Sequence, residues 1–428
     1  MTKVNERVTT RINQLVSSLT PIHPERCIFK VPHQLRHGKE EFYEPKVISI
    51  GPYHRGNPCL ASMEEHKIRY LQSLLRRTGN RSVDRLVQAV VPHVEKVRKC
   101  YAELKSTDYI SSEELVQTLV LDGCFIIELM FRCQYVNNDD PVLNSMVLIA
   151  LGKDMILIEN QIPFFILENL FNTINHGHGH DHSLGNELKR QILVFFYPRL
   201  KNYSLTLQDV EQLIIPEVCH LLDIIHKAIC FRFHENSRTT TSSQIEREFV
   251  NSATKLKEAS VWLNASSSTE NRSMFDITFT KGKLNIPTLG LDDGSEIEIR
   301  NFIALELYQQ SHMQRFWCDY VIFMDHLIAS SNDVDLLTHR GIFNNRMIDT
   351  NSVDNMFKNL TRNIITSHPY TYSEISKELN DYCDRPWNKW RATLKHNYFN
   401  TPWTIISLIA ALALLSLTSI QTVFSIIS

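Results

Sequence analysis

The residues best suited to chemistry are six polar side chains that interrupt two strongly apolar segments. They are Asp122, Glu128, Asp154, Glu159, Asn160 and Gln161. Paired carboxylates can act as a general acid and a general base, and carboxylates with perturbed pKa values gather at active sites. Helical spacing argues against a pair within one segment, since Asp122 and Glu128 are six residues apart and Asp154 and Glu159 are five apart. A catalytic pair would have to form between two helices.

The alternative for the same residues is a buried polar network, and this is the interpretation that we favour. Glu128 precedes Arg132 by four residues, which is the spacing of an ion pair on one helix face. Glu159, Asn160 and Gln161 lie just before Pro163, where their side chains can satisfy backbone groups. We therefore predict no catalytic residues.

A second group of candidate ligands is the segment from His176 to His182, which has imidazoles at four alternate positions. They are His176, His178, His180 and His182. Such a run can bind zinc, nickel or copper. Glycines separate the histidines and no cysteine is near, so ordering the segment around an ion would cost entropy. The sequence favours a solvated loop, and we predict no metal ion or other cofactor.

The neighbours Cys219 and His220 could be a nucleophile and its base, but adjacent helical residues point in different directions. No motif of the forms G-x-S-x-G, G-x-x-x-x-G-K-[ST], G-x-G-x-x-G or H-E-x-x-H occurs, which removes the familiar hydrolase, nucleotide-binding and metalloprotease signatures. The nine cysteines are scattered without a C-x-x-C pair, a pattern typical of a reducing compartment.

Composition narrows the class of protein further. The 428 residues are 43% hydrophobic and 21% charged, with a formal net charge of −2, as in an ordinary globular protein. No basic stripe interleaved with aromatic residues occurs, so we predict no nucleic-acid partner. The first twenty residues contain no apolar stretch of the length that a signal peptide needs. We expect a body in the cytosol.

The spacing of apolar residues predicts a mainly α fold, a large helical body with a small β hairpin or meander. A polar leader (residues 1–26) precedes the body (27–395). We expect helices over residues 62–77, 82–105, 115–133, 142–171 and 214–233, another through Phe249 to Leu263, and further helices from Phe302 onwards. Alternation of apolar and polar residues predicts the β element between about 274 and 300, where Ile297 and Ile299 close it.

The C-terminal segment has the composition of a membrane span. From Trp403 to Ile427 no side chain is ionisable, and a helix of this length would extend about 37 Å against a hydrocarbon core of about 30 Å. Four basic residues precede it, at 385, 389, 391 and 395, which keeps the body on the cytosolic side. We predict a single-pass transmembrane helix over 402–427; the alternative is a buried core helix. Five N-x-S/T sequons, at Asn80, Asn202, Asn264, Asn271 and Asn359, would be glycosylated only in a luminal body.

Several blocks along the chain resemble, in order, the plant family filed as domain of unknown function 247 (DUF247). They are Ile50-Gly51-Pro52-Tyr53-His54, Met63-Glu64-Glu65-His66-Lys67, the segments LDGCFIIE at 121–128 and DMILIENQIPFF at 154–165, Ala253-Thr254-Lys255-Leu256, Leu284-Asn285-Ile286-Pro287, RNFIALE at 300–306, and Phe399-Asn400-Thr401-Pro402-Trp403. The resemblance implies a membrane-associated plant protein with no established catalytic activity. Some members of the family act in grass self-incompatibility or in suppressing female development.

These observations predict a tail-anchored, non-enzymatic recognition or regulatory protein. Its body would bind an unknown protein partner close to the membrane, where anchoring raises the local concentration. The resemblance adds an expected role in reproductive recognition or development. The alternative is a membrane-tethered enzyme of unknown reaction with an acidic and histidine site around Asp122, Asp154, Glu159 and His66. A third hypothesis is a passive membrane tether.

Overall fold

A computed structural model describes residues 2–17, 25–79, 82–102, 110–135, 144–175, 183–236, 249–266, 273–308, 314–347, 349–362, 364–367, 369–388, 390 and 402–427. Helices dominate these residues, as the sequence predicts. The first ten helices are α1 (Thr2–Ser17), α2 (His33–Arg36), α3 (Ala61–Arg77), α4 (Asp84–Val90), α5 (Val94–Cys100), α6 (Ser112–Tyr135), α7 (Ser145–Asp154), α8 (Phe164–Asn175), α9 (Ser183–Leu200) and α10 (Leu207–Gln212). Those that follow are α11 (Leu221–Asn236), α12 (Ala253–Glu258), α13 (Ser295–Tyr308), α14 (Phe316–Leu327), α15 (Ser331–His339), α16 (Thr350–Leu360), α17 (Ser373–Cys383) and α18 (Pro402–Ile427).

The hydrophobic core is built around α6, which contains the first of the two interrupted apolar segments. It packs against α3, α4 and α8, and Phe125, Ile126 and Leu129 on it are fully buried. The contact with α8 is very close at Gly123, where a Cβ atom would lie 2.4 Å from Leu170 Cδ1. A side chain at position 123 would therefore require the end of the Leu170 side chain to shift.

Two predicted helices are each divided in the structure. Residues 82–105 contain α4 and α5, joined by the 3₁₀ turn Val91–His93 with Pro92 at its centre. Residues 142–171 contain α7 and the start of α8, separated by a loop of residues 155–163. Proline lacks a backbone N–H and is favoured at helix starts, so Pro92 and Pro163 mark where new helices begin. The prediction of one continuous helix was wrong in both places.

The predicted β element contains a hairpin and a further short strand. A strand from elsewhere in the chain pairs with each of these two parts. β2 (Thr278–Thr280) pairs antiparallel with β3 (Lys283–Pro287), and β1 (Trp262–Ser266) pairs parallel with the other edge of β3. A second sheet joins β4 (Leu289–Leu291) and β5 (Phe343–Asn345) in parallel. The residues of β1, including Leu263, were expected to end a helix, and that prediction was wrong.

A further correction concerns Ile297 and Ile299, which lie in α13 and not in a strand. The residues before them form a helix-starting turn. Ser295 Oγ accepts a hydrogen bond from Asp292 N at 2.9 Å, and Asp292 Oδ1 accepts one from Gly294 N at 2.8 Å. With Glu296 and Glu298 in the first helical turn, local capping and charge favour a helix over the alternating pattern.

The two terminal helices differ from the rest because their side chains are exposed. Every residue from Val4 to Ser17 of α1 is exposed, and so are the apolar side chains of α18 whose exposure the structure describes, among them Ile409, Leu412 and Ile420. Within the described ranges, no helix is both long enough and apolar enough to cross a membrane. The predicted span over residues 402–427 has no support from this finding and stays a prediction.

Candidate functional site

Five of the six predicted polar residues meet at one place, which we call the polar hub: Asp122 on α6, Asp154 at the end of α7, and Glu159, Asn160 and Gln161 in the loop that follows. All are buried. Residues 27–54, which we call the arm, contain α2 and several turns, and they pack against the body here. The hub is where the arm is held.

Asp154 binds the backbone of the arm directly. Its carboxylate accepts hydrogen bonds from the amides of Lys46, Val47 and Ile48, at 2.6 to 3.1 Å. Burial raises the pKa of this carboxyl, although the three amides oppose the shift. The carboxylate thereby satisfies consecutive amides that have no strand partner.

Asn160 and Gln161 bind backbone groups through their side-chain amides. Asn160 Oδ1 accepts from Ile50 N at 2.6 Å, and its Nδ2 donates to Ile48 O at 3.0 Å. Gln161 Nε2 donates to the carbonyls of Met155 and Leu157, both at 2.8 Å, which closes the loop on itself. Both side chains are fully buried, so each of these bonds would be costly to lose.

Asp122 forms a buried ion pair with Lys67, a residue that the sequence analysis did not single out. Lys67 Nζ lies 2.6 Å from Asp122 Oδ1 and donates to Ser49 O at 2.5 Å, while Asp122 Oδ2 accepts from Gly51 N at 2.8 Å. Burial opposes the charge on Lys67, but the neighbouring Asp122 carboxylate raises the pKa of the lysine. Both side chains are 2% exposed, so the pair is a contact of the interior.

Gly51 makes this arrangement possible, because its φ is +75° and a Cβ atom there would lie 2.4 Å from the Gln161 carbonyl oxygen. No other residue type fits without moving the arm away from the body.

Glu159 completes the hub at the start of the arm. Its Oε1 accepts from Val31 N at 2.8 Å and from Arg36, and its Oε2 lies 3.4 Å from His54 Nε2. Burial opposes ionisation of Glu159, but the nearby His54 and the hydrogen bond from Arg36 lower the pKa of its carboxyl. Arg36 could not be recognised as a partner from the sequence, since it lies 123 residues away.

Glu128 lies apart from the hub. It accepts from Arg77 at 2.8 Å and from Arg132 at 3.2 Å, so the predicted pair with Arg132 is present. His66 is half-buried on α3 and takes no part in the hub, although its neighbour Lys67 does. The acidic residues of the alternative enzyme hypothesis are thus bound to backbone amides or to cations, and His66 is not among them.

The other sequence candidates have separate surroundings. Asp223 N donates to His220 Nδ1 at 3.2 Å, and His220 Nε2 lies 3.1 Å from the Cys27 carbonyl oxygen, which fixes the ring on backbone and away from Cys219. Burial lowers the pKa of His220 to about 4, so its imidazole is neutral. A hydrogen bond from the Cys27 thiol lowers the pKa of the exposed Cys219. The four histidines at 176, 178, 180 and 182 lie outside the described residues.

One group of potential metal ligands occurs in the described part of the chain, and the sequence analysis missed it. His226, Cys230 and Glu306 are all buried, with their donor atoms within 4.8 Å of one another. His226 Nε2 lies 2.8 Å from Glu306 Oε1. Burial lowers the pKa of the His226 imidazole, but contacts with Cys230 and Glu306 outweigh it and raise this pKa. Glu306 also accepts the amides of Trp317 and Cys318 at 3.0 Å, at the start of α14. The group pairs the His226 imidazole with the Glu306 carboxylate.

Residues of α3, α4, α5 and α6 line a wide surface depression, which we call the apolar groove. Its volume is about 770 Å³, within the range of ligand sites. Its walls are largely aliphatic: Ile68, Leu71, Val83, Val87, Val91, Pro92, Val94, Val116, Val120 and Leu121. The polar residues of its lining are Glu95, Ser112, Glu113 and Gln117, two of them carboxylates and none basic.

Comparison with known proteins finds relatives that match most of the chain. A family model described as a plant protein of unknown function, DUF247, matches residues 28–417. The chain belongs to the DUF247 family. The UPF0481 protein At3g47200 of Arabidopsis thaliana is 28% identical over 424 residues, covering 94% of this chain and 86% of the relative. The putative UPF0481 protein At3g02645 of the same plant is 23% identical over 485 residues, covering 92% and 89%. No solved structure matches the chain.

The polar hub explains what several blocks of this DUF247 protein do. The block at 50–54 supplies arm residues, the block at 63–67 supplies Lys67, and the segments at 121–128 and 154–165 supply the acidic and amide side chains. Asn301, from the block at 300–306, accepts from Ile158 N at 3.0 Å and donates to Phe42 O at 2.9 Å. Blocks that are far apart in the DUF247 sequence therefore converge on one structural contact.

Proposed function

We propose that this DUF247 protein is a non-enzymatic recognition or regulatory module that binds another protein through the apolar groove. The observation that carries the proposal is the groove itself: Ile68, Val83 and Val91 are exposed large hydrophobic residues that line one continuous depression. Exposed apolar surface of this kind marks interaction sites, and an aliphatic groove suits the apolar face of a partner helix. The groove contains no cluster of titratable groups that could carry out a reaction.

The burial of the polar hub also supports a non-enzymatic role. Its carboxylates and amides are bound to the backbone of the arm or to Lys67 and Arg36, and they are closed off from solvent. A reaction would need at least one of them to reach a substrate. Substrate turnover by the purified chain, lost on Asp154→Asn or Glu159→Gln, would overturn this part of the proposal.

We further propose that residues 402–427 hold the body at the cytosolic side of a membrane. The support is the uncharged segment from Trp403 to Ile427 and the exposure of apolar side chains along α18, which need lipid or protein to cover them. The test is fractionation of the full chain and of a chain ending at residue 401. Anchoring predicts that only the full chain resists alkaline extraction from membranes, and that Asn264 and Asn359 carry no sugar.

Proximity labelling tests the groove as a recognition site. The variant Val91→Glu places a carboxylate in the groove at a residue that is 52% exposed, so the fold should tolerate it. We expect at least one labelled protein to disappear. Ile214→Glu is the matched control, because Ile214 is exposed but does not line the groove. An unchanged set of labelled proteins in Val91→Glu would contradict groove-mediated recognition.

A further inference from the structure

Helix α1 has an apolar face that the body does not cover. Val4, Val8, Ile12 and Leu15 follow one another at intervals of four, four and three residues, which places them in a stripe along one side. Their side chains are 50 to 64% exposed. The opposite side is polar, as shown by Thr10, whose hydroxyl bonds back to Glu6 O at 2.8 Å. A short helix of this composition gains most of its stability when the stripe packs against an apolar surface.

The charges of α1 and of the apolar groove are complementary. Arg7 and Arg11 are one helical turn apart on α1, along one edge of its apolar stripe. The groove carries the exposed carboxylates Glu95 and Glu113 and no basic residue in its lining. A helix lying in the groove could bring its arginines to these carboxylates.

The connection between α1 and the body is long enough for the two to meet. Cys27 N donates to Cys100 O at 3.0 Å, so the arm begins at the end of α5, whose residues Val94 and Glu95 line the groove. The seven residues of α5 extend about 10 Å along the helix. The stretch from Ser17 to Cys27 can extend about 33 Å, at about 3.3 Å for each residue. The groove is therefore within reach of α1 of the same chain.

From these features we infer that α1 docks into the apolar groove of its own chain and occupies the surface that a protein partner would use. This inference rests on the proposed function for its consequence, though not for its geometry. Because α1 is tethered, its effective concentration at the groove is in the millimolar range. A partner helix must compete with it, so α1 regulates access to the groove.

Photo-crosslinking in the full chain, expressed in cells, tests the docking. Val8 in the apolar stripe is replaced by p-benzoylphenylalanine, with Thr10 on the polar side as the matched control position. We expect the probe at Val8, and not at Thr10, to form crosslinks within one chain to peptides containing residues 68–95 or 112–121. Crosslinks to lipid, to a second copy of the chain, or to neither region would overturn the inference.

A charge exchange tests the orientation of α1 without altering the core. The changes Glu95→Lys and Glu113→Lys affect exposed residues and should lower the yield of the Val8 crosslink about fivefold. Adding Arg7→Glu and Arg11→Glu should restore it. A crosslink yield that stays the same in both sets of variants would contradict the proposed pairing. Circular dichroism of each variant checks that the fold is kept.

Removing α1 separates this inference from the proposed function. Deleting residues 2–17 should increase proximity labelling of any protein that Val91→Glu loses, because the groove is then open. If the Val8 crosslink forms but no labelled protein depends on the groove, docking stands and groove-mediated recognition fails. If partners depend on the groove but the crosslink is absent, recognition stands and docking is wrong.

Discussion

The polar hub and the apolar groove use residues of the same two helices, α3 and α6, and they differ in burial and in polarity. On α3, Lys67 is buried in the hub while Ile68 is exposed in the groove. On α6, Asp122 belongs to the hub while Leu121 lines the groove. The hub buries charges and pairs them, and the groove leaves aliphatic surface open. The polar residues here hold the fold together, while the apolar residues of the groove form the exposed surface for which we propose a recognition role.

The largest expected effect is the loss of one partner from the buried ion pair. Lys67→Met leaves the Asp122 carboxylate buried without its cation, and we expect the free energy of unfolding to fall by about 3 to 5 kcal/mol. Denaturant unfolding of the full chain measures this. The double variant Lys67→Met with Asp122→Leu should recover much of the loss, because no unpaired charge remains. Equal losses in both variants would mean that the pair is not the reason for the cost.

A second effect, of about 3 kcal/mol, should appear on acidification. His220 holds the arm at Cys27, and its pKa of about 4 lies well below the ordinary histidine value of about 6.5. Between pH 6.5 and 4, the His220 imidazole therefore binds a proton in the unfolded chain but stays neutral in the folded chain. The contribution of His220 is fully present above pH 6.5 and is lost as the pH falls towards 4. Unfolding measured at pH 7 and pH 4.5 should show a smaller drop in His220→Gln than in the natural chain.

An intermediate loss is expected at the carboxylate that caps the arm. Asp154→Asn keeps the size of the side chain but turns a donor group towards the amides of Lys46 to Ile48, so at least one amide is left unsatisfied. We expect the free energy of unfolding to fall by about 1 to 3 kcal/mol. Hydrogen exchange should show faster exchange at Val47 and Ile48. Protection equal to that of the natural chain would show that the arm is held by other contacts.

The smallest expected effect is at the groove, next to the residue with the largest one. Ile68→Ser changes a residue that is 57% exposed, so the free energy of unfolding should change by no more than about 0.5 kcal/mol. The same denaturant experiment compares it with Lys67→Met, its immediate neighbour. A loss above 2 kcal/mol would show that the groove is part of the core and not a free surface.

The sequence could predict which polar residues are buried, because acidic and amide side chains inside apolar segments are unusual enough to stand out. It could not predict their partners, which are the arm's backbone amides, 71 to 128 residues away along the chain. Lys67 was missed although it shares a face with Met63, Tyr70 and Leu74, all buried. A lysine at a core position of an amphipathic helix was the available signal.

The groove was missed for a different reason. The spacing of Val83, Leu86, Val87 and Val90 predicts a helix with an apolar face, but it does not show whether a neighbour covers that face. In the structure Leu86 and Val90 are buried, whereas Val83 and Val87 line the groove. Periodicity identifies apolar residues that can pack, and only the arrangement of helices decides which of them do.

The way the arm is held also affects how the chain is made. Ile50 pairs with Asn160, 110 residues further on, so the arm has no binding site when it leaves the ribosome. At about 5 to 20 residues per second, synthesis reaches the hub loop roughly 6 to 22 s later. During this interval the unpaired amides and apolar side chains of the arm are open to chaperones. The arm therefore reaches its final conformation only after the hub loop has been made, although it is synthesised first.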